Sequence, residues 1–182
     1  MHFHPTSLTD AVLLTPDMHD DARGHFARLF CETEMANAGL ETRFPQHNHS
    51  FNHRKGTLRG MHFQRSPHAE VKVVRCTRGA IRDVIVDLRP DSPSYMRWDA
   101  FELTEDNGHQ LYVPRGFAHG YLTLLDASAV AYLVSTPYTP AAEGGVRWND
   151  PAFGIDWGSE IVEISDKDAG WPDYKAPHKE QD

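Results

Sequence analysis

Residues 56–64 read GTLRGMHFQ, which sets His62 behind a glycine-arginine pair and puts Gln64 two places further on. A histidine-x-histidine pair would offer two neutral imidazole nitrogens to a divalent metal. An amide in the second place does not. An imidazole ordinarily titrates near ~6.5, so it takes up and returns protons at neutral pH without help from a metal. Lys72 adds an ammonium further along the chain, and His119 in PRGFAHG adds a second imidazole. A base beside cations is the equipment for removing a proton and holding the anion that remains. The other histidines lie in polar, turn-like stretches where a solvated ring is the default.

The segment NGHQLYVPRGFAHG carries Gly108, Pro114, Gly116 and His119 at the intervals of the second motif of the cupin superfamily, a small double-stranded β-helix that it resembles. Gly56 and His62 resemble the start of the first motif. In metal-binding cupins, two histidines and a glutamate of that first motif join the histidine of the second around a divalent ion. Here Gln64 replaces a histidine, and Lys72 stands about where the glutamate belongs. A charged ammonium has no lone pair to donate and repels a dication, so the resemblance implies no metal. His62, Lys72 and His119, with Arg59 beside them, are expected to surround an anion or enolate inside one barrel.

Five blocks then extend the likeness: KGTLRGMHFQ, VKVVRCTRGAIRDVIVDLR, LYVPRGFAHGYLTL, AYLVSTPYTP, and DPAFGIDW followed by ISDKD. In that order they resemble the dTDP-4-dehydrorhamnose 3,5-epimerase family, from about Asp21 to Asp168. The resemblance implies a cupin jelly roll, a homodimer, and action without metal or cofactor on a nucleotide-diphosphate sugar bearing a 4-keto-6-deoxy hexose. A ketone at C4 acidifies the hydrogens on C3 and C5. A base removes one of them to leave an enolate, and an acid on the other face returns a proton with inversion. In family terms His62 resembles the base, Asp168 its partner carboxylate, Lys72 the cation at the enolate oxygen, and Tyr132 the opposing acid. Arg23 and Arg59 resemble diphosphate ligands, a role suited to guanidinium forks. His119 resembles a further polar contact to the substrate, Gln46 and Asn48 nucleoside contacts, and Tyr138 the ring that stacks on the base. Glu143 and Lys167 match positions near the substrate.

One residue departs from the pattern: RGHFARLF has Arg28 where the family carries a glutamate beside the nucleotide, which leaves the accepted base open. Four other readings stand beside the main one. A single-carbon epimerase fits the same residues. A 3,4-ketoisomerase would move the carbonyl instead, and Tyr132 argues against it. A metal-dependent oxygenase is disfavoured by Gln64 and Lys72, while a non-catalytic sugar-nucleotide binding module would use the same arginines.

Strands must hold these side chains. VKVVRCTRGAIRDVIVDLR contains two β-branched runs around Arg78-Gly79, a hairpin signal, and four more short aromatic or β-branched runs follow between turn residues. Turn signals spaced roughly ten residues apart point to an antiparallel sandwich or barrel, an all-β fold. One short helix is expected in CETEMANAGL, acidic at its start and ended by Gly39. The stretch after DPAFGIDW, with Pro172 and Pro177, is expected to be irregular.

The chain of 182 residues supports one domain over residues 1–182. Its net charge of −8 argues against nucleic acid or an anionic membrane as partner, since both select basic surfaces. The N-terminal residues lack a cationic and apolar leader, and no apolar stretch approaches the length of a membrane span. With Cys31 and Cys76 as the only cysteines, reduced thiols in a cytoplasm are expected.

Overall fold

The structure, a computed structural model, describes residues 1–176; Pro177 lies outside them. In chain order the strands are β1 (His2–Pro5), β2 (Val12–Thr15), β3 (His19–Asp21), β4 (Gly24–Phe26), β5 (Gln46–Asn52), β6 (Thr57–Gln64), β7 (Lys72–Arg78), β8 (Ala80–Asp87), β9 (Trp98–Thr104), β10 (Gln110–Val113), β11 (Phe117–Thr123), β12 (Ser128–Val134), β13 (Glu143–Gly145) and β14 (Glu163–Ile164). Two short helices accompany them, α1 (Glu32–Asn37) and α2 (Asp166–Ala169).

Alternation along the strands builds two facing sheets. One runs β1-β2-β10-β7-β12-β5; the other runs β13-β6-β11-β8-β9, with β14 beside β6. Val74, Cys76, Leu111 and Val130 of the first sheet meet Ile81, Ile85, Leu103, Phe117 and Tyr121 of the second in one buried core. Side chains at every second position face the same way, so each strand gives half its residues to that core. This is the all-β cupin jelly roll that the motifs imply. β3 and β4 form a separate exposed ribbon.

The expected hairpin at Arg78-Gly79 does not form. β7 lies between β10 and β12, and β8 lies between β11 and β9, so the chain changes sheets at this point. The inward residues of β7 and β8 belong to opposite walls of one core, which side-by-side pairing would not allow. Gly79, at φ +74°, makes the corner, and Ser128 fills the space a Cβ would need.

β8 is buried on both faces because both are covered. Val84 and Val86 point away from the first core into a second one, with Leu58, Met61 and Leu122 under Phe153 and Trp157. The stretch after DPAFGIDW is therefore more ordered than expected. Ile155, Ile161, Ile164 and Tyr174 continue the cover, and the same stretch contributes β14 and α2. On the first sheet, Met35 of α1 packs with Leu14, Val73 and Tyr112. α1 falls where its acidic start and Gly39 place it. Cys31 and Cys76 are both free. No helix of the described residues is long and apolar enough to cross a membrane.

Candidate active site

A cavity of about 510 Å³ is lined by both sheets, a size suited to a small ligand. β6 contributes His62 and Gln64, while Met61 between Gly60 and His62 turns into the second core. From the facing sheet come Lys72 of β7, Tyr132 of β12, and Gln46 and Asn48 of β5. Leu133 next to Tyr132 packs on the opposite side of its sheet, so Tyr132 is directed toward the barrel. His62 and Tyr132 thus line the cavity from opposite walls.

His62 Nε2 lies 2.7 Å from Asp168 Oδ1. The other carboxylate oxygen, Oδ2, accepts from the Gly60 N–H at 3.1 Å. Asp168 stands in the first turn of α2, where the Ser165 hydroxyl accepts from its N–H at 3.2 Å. Burial pushes the Asp168 carboxyl up, but the His62 contact and the Gly60 N–H outweigh it and hold the group below its ordinary value. The ionised carboxylate keeps a proton on Nε2, which leaves Nδ1 with the lone pair. Gly60 is required here because a Cβ would stand 2.5 Å from the Gly120 Cα.

Lys72 is nearly enclosed, with 11% of its side chain exposed, and its Nζ lies 3.1 Å from Glu70 Oε1. Gln64 donates to the other oxygen of Glu70 and accepts from the Thr139 N–H at 2.6 Å. The glutamine that displaces a metal ligand is thus a fixed part of the wall. Burial raises Tyr132 above the ordinary phenol value, and the charge of Glu70 adds to the shift while Arg59 opposes it.

A polar chain runs along the cavity rim. Gln46 Nε2 donates to Asn48 Oδ1 at 2.9 Å, and Gln46 Oε1 accepts from the Tyr138 N–H at 3.1 Å. Tyr138 Oη donates to Glu143 Oε2 at 3.2 Å, and Glu143 Oε1 takes Lys167 Nζ at 2.5 Å. Tyr138 is 52% exposed, which leaves room for a ring to stack on it. Five expected site residues lie outside the cavity lining: Asp168 and Lys167, which touch it through His62 and Glu143, and His119, Arg59 and Arg23. His119 points into the barrel but is buried against Asp83, with Nε2 3.0 Å from both carboxylate oxygens. Arg59 donates to Asn52 Oδ1 at 2.7 Å and lines a smaller adjoining pocket with Asp168. Arg23 sits on the exposed β3–β4 ribbon, paired with Asp21. Arg28 is held by Glu34 at 2.7 Å.

Sequence reasoning missed Glu70. It precedes Lys72 by two residues, and only that spacing in SPHAEVK signals a shared face. Among the described residues no three His, Cys, Asp or Glu side chains converge as metal ligands would.

The jelly roll thus sets a histidine–carboxylate pair and a tyrosine on facing walls of one cavity. The family model for dTDP-4-dehydrorhamnose 3,5-epimerase matches residues 5–176, and the chain belongs to that family. A dTDP-4-dehydrorhamnose 3,5-epimerase of Sinorhizobium fredii is 41% identical over 173 residues, covering 94% of this chain and 89% of the relative. The solved Bacillus anthracis enzyme of the same name, with TDP and PPi bound, superposes with a TM-score of 0.92 at 40% identity, covering 95% of this chain and 99% of the other. A dTDP-6-deoxy-D-glucose-3,5-epimerase of Legionella pneumophila, solved in complex with dTDP-4-keto-L-rhamnose, gives 0.89 at 33% identity over 94% of this chain and 92% of the other.

Proposed function

We propose that the protein converts dTDP-4-dehydro-6-deoxy-D-glucose to dTDP-4-dehydro-L-rhamnose by epimerisation at C3 and C5. The observation that carries this reading is the placement of His62, backed by an ionised Asp168, on one wall of the cavity and Tyr132 on the other, with Lys72 lining the same space. Nδ1 of His62 takes the proton from the carbon beside the ketone. The C–H electron pair moves into an enolate whose oxygen is met by the Lys72 ammonium. The Tyr132 phenol then delivers a proton to the opposite face, which inverts the centre, and solvent reprotonates Tyr132 and deprotonates His62.

The rim residues Gln46, Asn48 and Tyr138 are read as the nucleoside site, with Glu143 and Lys167 beside the sugar. Arg59 and Arg23 are read as diphosphate ligands, and His119 as a polar contact reached from inside the barrel. For Arg23 this requires release from Asp21, and an exposed pair of that kind is weak.

The chain is read as one domain working in the cytoplasm as a homodimer. Phe30 and Phe51, each 40% exposed, support the dimer, as does β5, one of the two edge strands of its sheet. Sedimentation equilibrium at twice the chain mass fits this reading, and a monomer rejects it.

The activity test is to incubate the protein with the dTDP-4-keto sugar, reduce the ketone chemically and identify the hexose by NMR. Inversion at both C3 and C5 is expected. A carbonyl moved to C3 would mean a ketoisomerase, inversion at one carbon a mono-epimerase, and tight binding with an unchanged sugar a binding module.

A further inference from the structure

Glu70 has no role in the reaction as written, yet it is the carboxylate nearest the Lys72 ammonium. Its side chain is 11% exposed, the same as that of Lys72, so two opposite charges are withdrawn from water together. An enclosed ammonium without a counter-charge is strongly disfavoured, and the pair is tolerated only because each member satisfies the other. The second oxygen of Glu70 is also engaged, by Gln64 Nε2. Gln64 is itself fixed at both ends, donating to the His68 carbonyl at 3.1 Å and accepting from the Thr139 N–H at 2.6 Å. The carboxylate therefore cannot rotate without breaking a contact, and a lysine, whose flexible stem sets no position of its own, is held at one point of the cavity.

We propose that Glu70 is a positioning residue that sets the Lys72 ammonium where the enolate oxygen develops, with Gln64 locking its orientation. This inference rests on the enolate reaction proposed above. Positioning a cation before the charge forms is worth most in the transition state, so the loss should fall on kcat and not on substrate binding. The negative charge of Glu70 near Tyr132 also favours the protonated phenol, in keeping with that residue's role as acid.

The test is a double-mutant cycle of Glu70→Gln and Lys72→Gln, read as kcat, KM and melting temperature on the dTDP-4-keto sugar. Glutamine keeps the size of the side chain and an oxygen for Gln64, and Glu70→Asp serves as a second variant should it fold poorly. Glu70→Gln should lower kcat about 10–100-fold with KM little changed, and the double variant should be no slower than Lys72→Gln alone. A wild-type kcat in Glu70→Gln overturns the proposal, as does a loss that adds in full to that of Lys72→Gln. An inactive wild-type protein would instead reject the epimerase reading on which it stands.

Discussion

In the proposed reaction His62 serves as a base only while its proton is held on Nε2, and Asp168 is the group beside that nitrogen. Asp168→Asn puts an amide in that place, whose N–H can donate to Nε2 and drive the proton to Nδ1. The expected result is a fall in kcat of about 10²–10⁴-fold with an unchanged fold, measured by turnover beside circular dichroism. Tyr132, raised by burial and by Glu70, stays protonated well into alkaline pH. Inversion is therefore expected to persist until above pH ~10 in a pH–rate profile, and a decline near pH 8 would assign the acid elsewhere. That His62, Lys72 and Tyr132 line one cavity, with Asp168 on His62, was to be expected from the family-like blocks in which they sit. Glu70 was not, since the carboxylate expected near that point was assigned to the place Lys72 occupies. His119 was legible as a barrel-facing residue, but its tie to Asp83 joins strands that no local pattern connects.

The strands themselves could be read from β-branched runs between turn residues, whereas their partners could not. At Arg78-Gly79 a glycine between two such runs looks the same whether the chain folds back in one sheet or crosses to the other. The tail is irregular for the most part, as expected, and the two elements inside it were hidden for a related reason: a two-residue strand and a single helical turn are too short to show a period, yet α2 is the element that delivers Asp168. Gly60 joins β6 to both β11 and Asp168. Gly60→Ala should lower the melting temperature and activity together, because the methyl meets the Gly120 backbone and displaces the N–H that Asp168 accepts. The end of β8 gives a pH test. Burial would raise the fully buried Asp87, but hydrogen bonds from Arg89, Ser92 and Ser94 outweigh it and hold its carboxyl low. A carboxyl with a depressed folded pKa contributes stability that is complete above its unfolded value near ~3.9 and is lost as pH falls through the folded one. Asp168 acts in the same direction. The melting temperature should hold from pH 7 to 5 and drop below pH ~4, while Asp87→Ala, which leaves Arg89 without this partner, should cost about 3 kcal/mol at neutral pH by urea denaturation.

Taken as one molecule, the protein joins a barrel to an open rim of polar side chains, and in the proposed reaction the barrel fixes the acid and base while the rim reads the nucleotide. The barrel class was visible in the sequence because alternation and turn spacing repeat over most of the chain. The nucleotide was not, since Arg28 departs from the family pattern and is turned toward Glu34. A thermal-shift series with dTDP, UDP, CDP and GDP resolves the choice, with dTDP expected to raise stability by about 2.7 kcal/mol at a hundredfold excess over Kd. Proton traffic across the sugar ring tests the enzyme most directly: turnover of the dTDP-4-keto sugar in deuterated water, with the label at C3 and C5 followed by NMR for the wild type, His62→Ala and Tyr132→Phe. The wild type should carry deuterium at both carbons in the inverted sugar, His62→Ala should carry none, and Tyr132→Phe should exchange at a carbon it no longer inverts. Full exchange in His62→Ala, or inversion without deuterium in the wild type, would remove the imidazole and the phenol from the chemistry assigned to them.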